Sequence, residues 1–189
     1  MSNSKFKTLR HIETVRNYLA AIIKELMYRQ EQHDQTKLQP PEAEIFEKYM
    51  PLFEGVKYGS EKYREVIEKL KPAVDHHNKH NRHHPEHFKR TYECGKCNNK
   101  YDYAPDKCEC GHGIFSVYGG LINGMNLIDL IEMMCDWKAA GLRRGDGDIY
   151  KSIEISKGRF GISDQLEQIL INTAELINSF EVYHKAEES

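Results

Sequence analysis

The sequence predicts an all-α domain interrupted by one small metal-bound segment. Three observations lead there. Apolar residues recur at three- and four-residue steps in several stretches, the pattern of amphipathic helices. That period vanishes between residues 91 and 113, where Cys94-Gly-Lys-Cys97 and Cys108-Glu-Cys110 enclose a Tyr- and Asn-rich loop. Hydrophobic residues make up 39% of the 189 and charged residues 30%, a polar balance that still supplies a core. One domain of ordinary size over residues 1–189 is expected, with 91–113 as an insert.

The first helix is expected over residues 12–26, where Ile12, Val15, Leu19, Ile22, Ile23 and Leu26 form one stripe. Pro40-Pro41 stops any helix before it. Glu42 to Tyr49 follows as a short helix with Pro41 at its first turn. Ser60 is a good N-cap for the next helix, in which Tyr63, Val66, Ile67, Leu70, Val74 and His77 share a stripe. His77 therefore continues a buried face, and His76 lies about 100° off it. Met125 to Ala140 is again helical, through Leu127, Leu130, Ile131, Met133, Met134 and Trp137, with Cys135 expected in the core. Asp129, Glu132 and Asp136 share one of its faces. Residues 141–148 read as a polar loop carrying Arg143 and Arg144, and a last helix runs from Ser163, its capping residue, to Tyr183. Strand signals are weak, with Gly113 to Val117 and Ile153 to Ile155 the two candidates.

Composition narrows the function classes. A formal net charge of −2 gives no global basic field for nucleic acid. No apolar run approaches the ~20 residues of a membrane span. Met1 to Arg10 has no apolar signal core, so a cytoplasmic protein is expected. In that compartment five cysteines indicate reduced thiols or metal binding rather than disulfides.

Six of the ten histidines fall in positions 76–87, far more imidazole than a structural loop needs. Imidazole is the commonest metal ligand and the usual proton-transfer group near neutral pH. His33-Asp34 lies upstream and Asp136 downstream. A His followed directly by Asp diverges by about 100° in a helix, so both reach one ion only near a helix end, which Pro40 favours. With the later histidines and the helical Asp they form a His/carboxylate set suited to Zn, Mn, Fe or Mg with positions left for water and substrate. Separately, two close thiolate pairs, Cys94/Cys97 and Cys108/Cys110, suit a closed tetrahedral zinc site that staples a loop without a core of its own. The C-x-C half is unusual, and His112 is an alternative to one of its thiolates.

The order of these residues resembles the HD-type metal-dependent phosphohydrolases. It resembles still more closely a group of phage and bacterial HD-like proteins of unassigned function. His33-Asp34-Gln35-Thr36-Lys37-Leu38 is similar to that group's His-Asp-x-Ser-Lys-Phe. His77, Asn81, His83 and His84 are similar to its His-x3-Asn-x-His-His, and Glu132, Met133, Asp136 and Trp137 to its Glu-Met-x-x-Asp-Trp. The likeness covers roughly residues 11–137; the cysteine segment is a departure from the pattern.

The resemblance implies an HD-like helical bundle that hydrolyses the phosphate ester of a nucleotide or related small molecule. It implies metal ligands His11, His33, Asp34, His77, His83, His84 and Asp136, holding one or two divalent ions (Mn, Fe, Co, Zn or Mg). Catalytic roles fall to Asp34, His84 and Lys37, and phosphate-binding roles to Lys37, Arg82, Arg143 and Arg144. His11 meets a physical objection: 22 residues without Gly or Pro separate it from His33, about 33 Å along a continuous helix. Either the chain folds back near residues 24–29 or His11 is not a ligand. Two other functions fit the same residues, an HD-like di-iron oxygenase and a non-enzymatic module that binds through its zinc knuckle. A nucleic-acid partner is the less favoured reading, no membrane is expected, and self-association is compatible with the sequence.

Overall fold

The computed structural model describes residues 3–57, 59–144 and 148–187. The chain divides into two units, residues 1–35 and residues 36–189.

The first unit is dominated by one helix, α1 (Asn3–Gln32), longer at both ends than the predicted stripe. It is unbroken, so the fold-back near residues 24–29 does not occur. His11 is exposed and about 33 Å from His33 along the axis, which removes it from the ligand set. The predicted apolar stripe is present but uncovered: Ile12, Val15, Leu19, Ile22 and Ile23 are each at least 40% exposed. The helix stops where Asp34 takes a left-handed φ of 59°, a conformation that Asp tolerates better than most residues.

The second unit is mostly helical but not all-α, which corrects the fold-class expectation. Its helices are α2 (Glu42–Tyr49), α3 (Glu61–His80), α4 (Leu127–Arg144), α5 (Ile149–Phe160) and α6 (Asp164–Glu187). Between α3 and α4 lie three strands, β1 (Thr91–Cys94), β2 (Lys100–Tyr101) and β3 (Phe115–Tyr118), in the antiparallel order β2-β1-β3. The β1–β3 register, Thr91↔Tyr118 to Cys94↔Phe115, pairs β-branched and aromatic residues suited to a pleated surface.

Ser60 caps α3 by accepting the Tyr63 N–H at 3.2 Å, as its sequence predicts. The main core joins α4, α5 and α6 through Leu130, Met133, Met134, Ile149, Ile153, Phe160, Leu170 and Ala174. Cys135 is exposed rather than part of this core. Residues 153–155 are helical rather than extended, because Ile149, Ile153, Ser156 and Phe160 carry a buried helical repeat. Asp148 caps α5 by accepting the Tyr150 N–H, and Gly161, at φ 70°, ends it.

Gly120 ties the sheet region to the start of α4. Its φ is +67°, and an added Cβ would lie 2.5 Å from the Arg90 backbone nitrogen. No helix among the described residues is long and apolar enough to cross a membrane.

Candidate metal centre

The histidines meet at the C-terminal end of α3. His77 is buried on the helix's inner face, as the stripe predicts, and α3 stops at Asn81. The Asn81 side-chain amide donates to the His77 carbonyl at 2.8 Å and to the Thr36 hydroxyl at 2.8 Å, which closes the helix end and uses both of its hydrogens. The chain then extends and returns His83 and His84 to the same place. Ring centroids lie 4.2 Å apart for His83 and His84, 4.7 Å for His77 and His84, and 5.8 Å for His77 and His83. One ligand-type nitrogen from each of the three lies within 4.8 Å of the others.

Two carboxylates fix how these rings present their nitrogens: Glu42, which the sequence reading missed, and Glu132, which it placed on the acidic face without a partner. Glu42, at the first turn of α2, is fully buried. Its Oε2 takes the His77 Nδ1–H at 2.9 Å and the Thr36 hydroxyl at 3.0 Å, and its Oε1 lies 2.7 Å from His76 Nδ1. Burial pushes the Glu42 carboxyl up, but the hydrogen bonds from His76, Thr36 and His77 outweigh it and hold the group below the usual carboxylate range. Glu132 of α4 lies 3.1 Å from His83 Nδ1. With Nδ1 of both rings turned to a carboxylate, Nε2 carries the lone pair; Nε2 of His77 and of His83 is shut off from solvent. A carboxylate on one ring nitrogen with the other turned inward is the arrangement that orients metal-bound imidazole. Nε2 of His84 is buried with no hydrogen-bond partner among the described residues. Burial, then the neighbouring His83 and His77, push the His84 imidazole down to about 3, while Asp136 opposes them. His84 is therefore neutral at physiological pH, the form that ligates metal.

The acidic face of α4 reads the 82–84 segment in register. Arg82 pairs with Asp129 through two bonds of 3.0 and 2.9 Å, His83 faces Glu132, and His84 feels the charge of Asp136. Arg82 was expected to hold substrate phosphate. Instead its guanidinium is committed to the fully buried Asp129 and stacks 4.9 Å from the Phe88 ring. Lys37 does reach the site region: with His77, His84, Phe46, Met50, Val74 and Asn78 it lines a cleft of about 440 Å³. The side chains of Arg143 and Arg144 lie outside the described residues. In the first unit, His33 Nε2 and Asp34 Oδ2 lie 3.7 Å apart just past the end of α1, the helix-end placement that lets neighbouring residues share an ion. His80 is exposed and stacks on His76, outside this cluster.

The cysteines form a second centre. Cys94 ends β1, Cys97 sits in the turn after it, and Cys108 and Cys110 sit in the turn before β3. Their four Sγ atoms lie within 4.8 Å of one another, with Cys94–Cys110 at 3.6 Å and Cys97–Cys108 at 3.4 Å. The four thiols supply this set without His112. The Tyr101 hydroxyl, 3.2 Å from Cys108 Sγ, leads the contacts that draw the Cys108 thiol down to about 6. At Cys97 the Asn99 N–H acts in the same direction, but the neighbouring thiols and burial outweigh it and push the group up to about 12. Cys97 therefore resists ionising beside the more acidic Cys108 when no cation lies among the thiols.

A family model matches residues 1–176 of the 189. The chain belongs to the DUF5662 family. That family is described as one of unknown function. No curated protein and no solved structure matches this DUF5662 chain. The two ligand clusters are thus the most direct guide to what it does.

Proposed function

We propose that this DUF5662 protein is a metal-dependent phosphohydrolase acting on a nucleotide or related phosphate ester. The observation that carries the reading is the pair of carboxylate-oriented imidazoles, His77 on Glu42 and His83 on Glu132, gathered with the neutral His84. Three preset nitrogens beside a cleft fit a divalent cation of the Mn, Fe, Co or Zn type better than they fit a packed core. A cation held there supplies Lewis acidity to a phosphoryl oxygen and to the attacking water.

In this proposal His77, His83 and His84 hold the cation, while Glu42 and Glu132 fix their rings. Lys37 faces the same cleft as His77 and His84, where its ammonium neutralises phosphate charge. Water attacks phosphorus, a new P–O bond forms, and the bond to the leaving oxygen breaks. His84, with an imidazole that charges only near pH 3, suits lone-pair donation better than proton uptake. Proton uptake is therefore assigned to Asp34. His33 and Asp34 join the set through the resemblance. Asp34 is two residues from Thr36, so covalent geometry keeps their Cα atoms within about 7.6 Å. The Thr36 hydroxyl lies 3.1 Å from His77 Nδ1.

The cysteine centre is assigned a structural zinc. Zn–S bonds of about 2.3 Å in a tetrahedron put sulfurs about 3.8 Å apart. The observed 3.6 and 3.4 Å are close to that edge and far longer than a disulfide bond of about 2.05 Å.

The test is phosphate release from nucleoside mono-, di- and triphosphates with Mn(II) or Co(II). The proposal predicts turnover that chelation abolishes and that Asp34→Ala lowers at least 100-fold. An inert wild type, or unchanged turnover in Asp34→Ala, contradicts it.

A further inference from the structure

The last turn of α3 carries two histidines that the metal centre does not use. His76 and His80 are four residues apart, so one helical turn sets them on the same side of α3. Their rings stack, with centroids 4.0 Å apart and planes 26° from parallel. His80 is exposed and the His76 side chain is 33% exposed, whereas His77, about 100° further round the helix, is buried.

Both rings are held through Nδ1. His76 Nδ1 lies 2.7 Å from Oε1 of the fully buried Glu42, and a carboxylate only accepts, so the hydrogen sits on Nδ1. His80 Nδ1 lies 2.7 Å from the His76 backbone carbonyl, which also only accepts. In the neutral rings each Nε2 therefore carries a lone pair. Neither Nε2 makes a hydrogen bond to another of the described residues. Ring packing alone requires none of this. Two stacked imidazoles can take either tautomer, and here the protein selects the same one twice.

We infer that His76 and His80 form an outer transition-metal site, separate from the buried centre, in which their two Nε2 atoms hold one Zn(II), Ni(II) or Cu(II) ion and water fills its remaining positions. Two histidines at i and i+4 on one helix face are spaced to reach one ion. A tetrahedral ion with metal–nitrogen bonds of about 2.0–2.1 Å keeps its nitrogens about 3.4 Å apart. The ring centres are 4.0 Å apart, so a small swing of the exposed His80 ring suffices. Two neutral nitrogens select Zn, Ni or Cu over Mg or Ca, which take oxygen ligands. Glu42 serves both centres. Its Oε1 orients His76 and its Oε2 orients His77, so one buried carboxylate places negative charge behind each set of imidazoles.

The experiment is Ni(II) binding to the full chain by equilibrium dialysis in excess Mg(II), with wild type, His80→Ala and His83→Ala/His84→Ala compared. His80→Ala removes one ligand at an exposed position, and Ala favours helix, so α3 is retained. Wild type is expected to bind one Ni(II) per chain more than His80→Ala, whose affinity at the outer site falls at least 10-fold. His83→Ala/His84→Ala is expected to keep that extra ion, and Ni(II) should broaden the NMR ring signals of its His76 and His80. Equal Ni(II) uptake by wild type and His80→Ala overturns the inference. So does Ni(II) uptake that disappears entirely in His83→Ala/His84→Ala, or broadening there that leaves both rings untouched.

Discussion

Replacing Glu42 by Gln changes one oxygen for an NH2 group at a position that is fully buried. The size is conserved; the hydrogen-bond arithmetic is not. The carboxylate accepts from His77 Nδ1, from His76 and from the Thr36 hydroxyl. An amide keeps one acceptor and presents a donor where the second oxygen stood. The conflict is relieved if His77 moves its proton to Nε2, which removes the lone pair assigned to the cation. Loss of a carboxylate that orients a metal-bound His weakens metal binding typically 10–100-fold, or about 1.4–2.8 kcal/mol. The metal-free protein also loses charge-assisted hydrogen bonds. About 2 kcal/mol of stability is at stake, a fall in Tm of roughly 4–8 °C for a chain of this size. The assay is a Mn(II) or Co(II) titration against a competing chelator, with thermal melts of the metal-free protein alongside. Metal affinity within twofold of wild type in Glu42→Gln would refute the claim that Glu42 sets the His77 tautomer.

Other expected outcomes follow from the same geometry. Cys94→Ser with Cys108→Ser should lower zinc content by one ion per chain and expose residues 91–118 to proteolysis, while cation binding by the histidines persists; partial digestion and metal analysis read both. Arg82→Ala leaves the fully buried Asp129 without its bidentate partner. It should cost about 2–3 kcal/mol in urea unfolding, less than the 3–5 of a wholly buried pair because Arg82 is 42% exposed. Substrate KM should change less than stability, since Arg82 is not assigned to phosphate. Met133→Ala opens a cavity at a fully buried position of α4 and should cost about 2–5 kcal/mol in the same measurement. Gly120→Ala sets a side chain against the Arg90 backbone at positive φ, and should destabilise the fold by about 1–3 kcal/mol.

What was legible in the sequence was local. The stripe through Val66, Leu70 and His77 separates a buried His77 from its neighbour His76, because a helix turns about 100° per residue. Cysteine spacing marked all four thiols of the second centre. The shared face of Asp129, Glu132 and Asp136 was visible too, although which residue each acid meets was not. Glu42 left no local trace: an acid in the first turn of a short helix is ordinary, and only packing against α3 shows it to be buried. The Arg82–Asp129 pair was hidden for the same reason, since a lone Arg beside histidines gives no sign of a buried acid 47 residues away. The helix α5 escaped because Ile153-Glu-Ile155 mimics strand alternation, while its buried repeat extends over about three turns. Periodicity revealed the apolar face of α1 but not what covers it, because period reports which residues share a face and nothing about the partner.

Metal content per chain, measured on wild type, Cys94→Ser/Cys108→Ser and His83→Ala/His84→Ala, tests the two-centre account most directly. The account predicts one zinc that leaves only with the cysteines, and at least one further ion that leaves only with the histidines. A wild type carrying no metal beyond the cysteine zinc after exposure to Mn(II), Fe(II) or Co(II), or histidine variants that retain every ion, would contradict it.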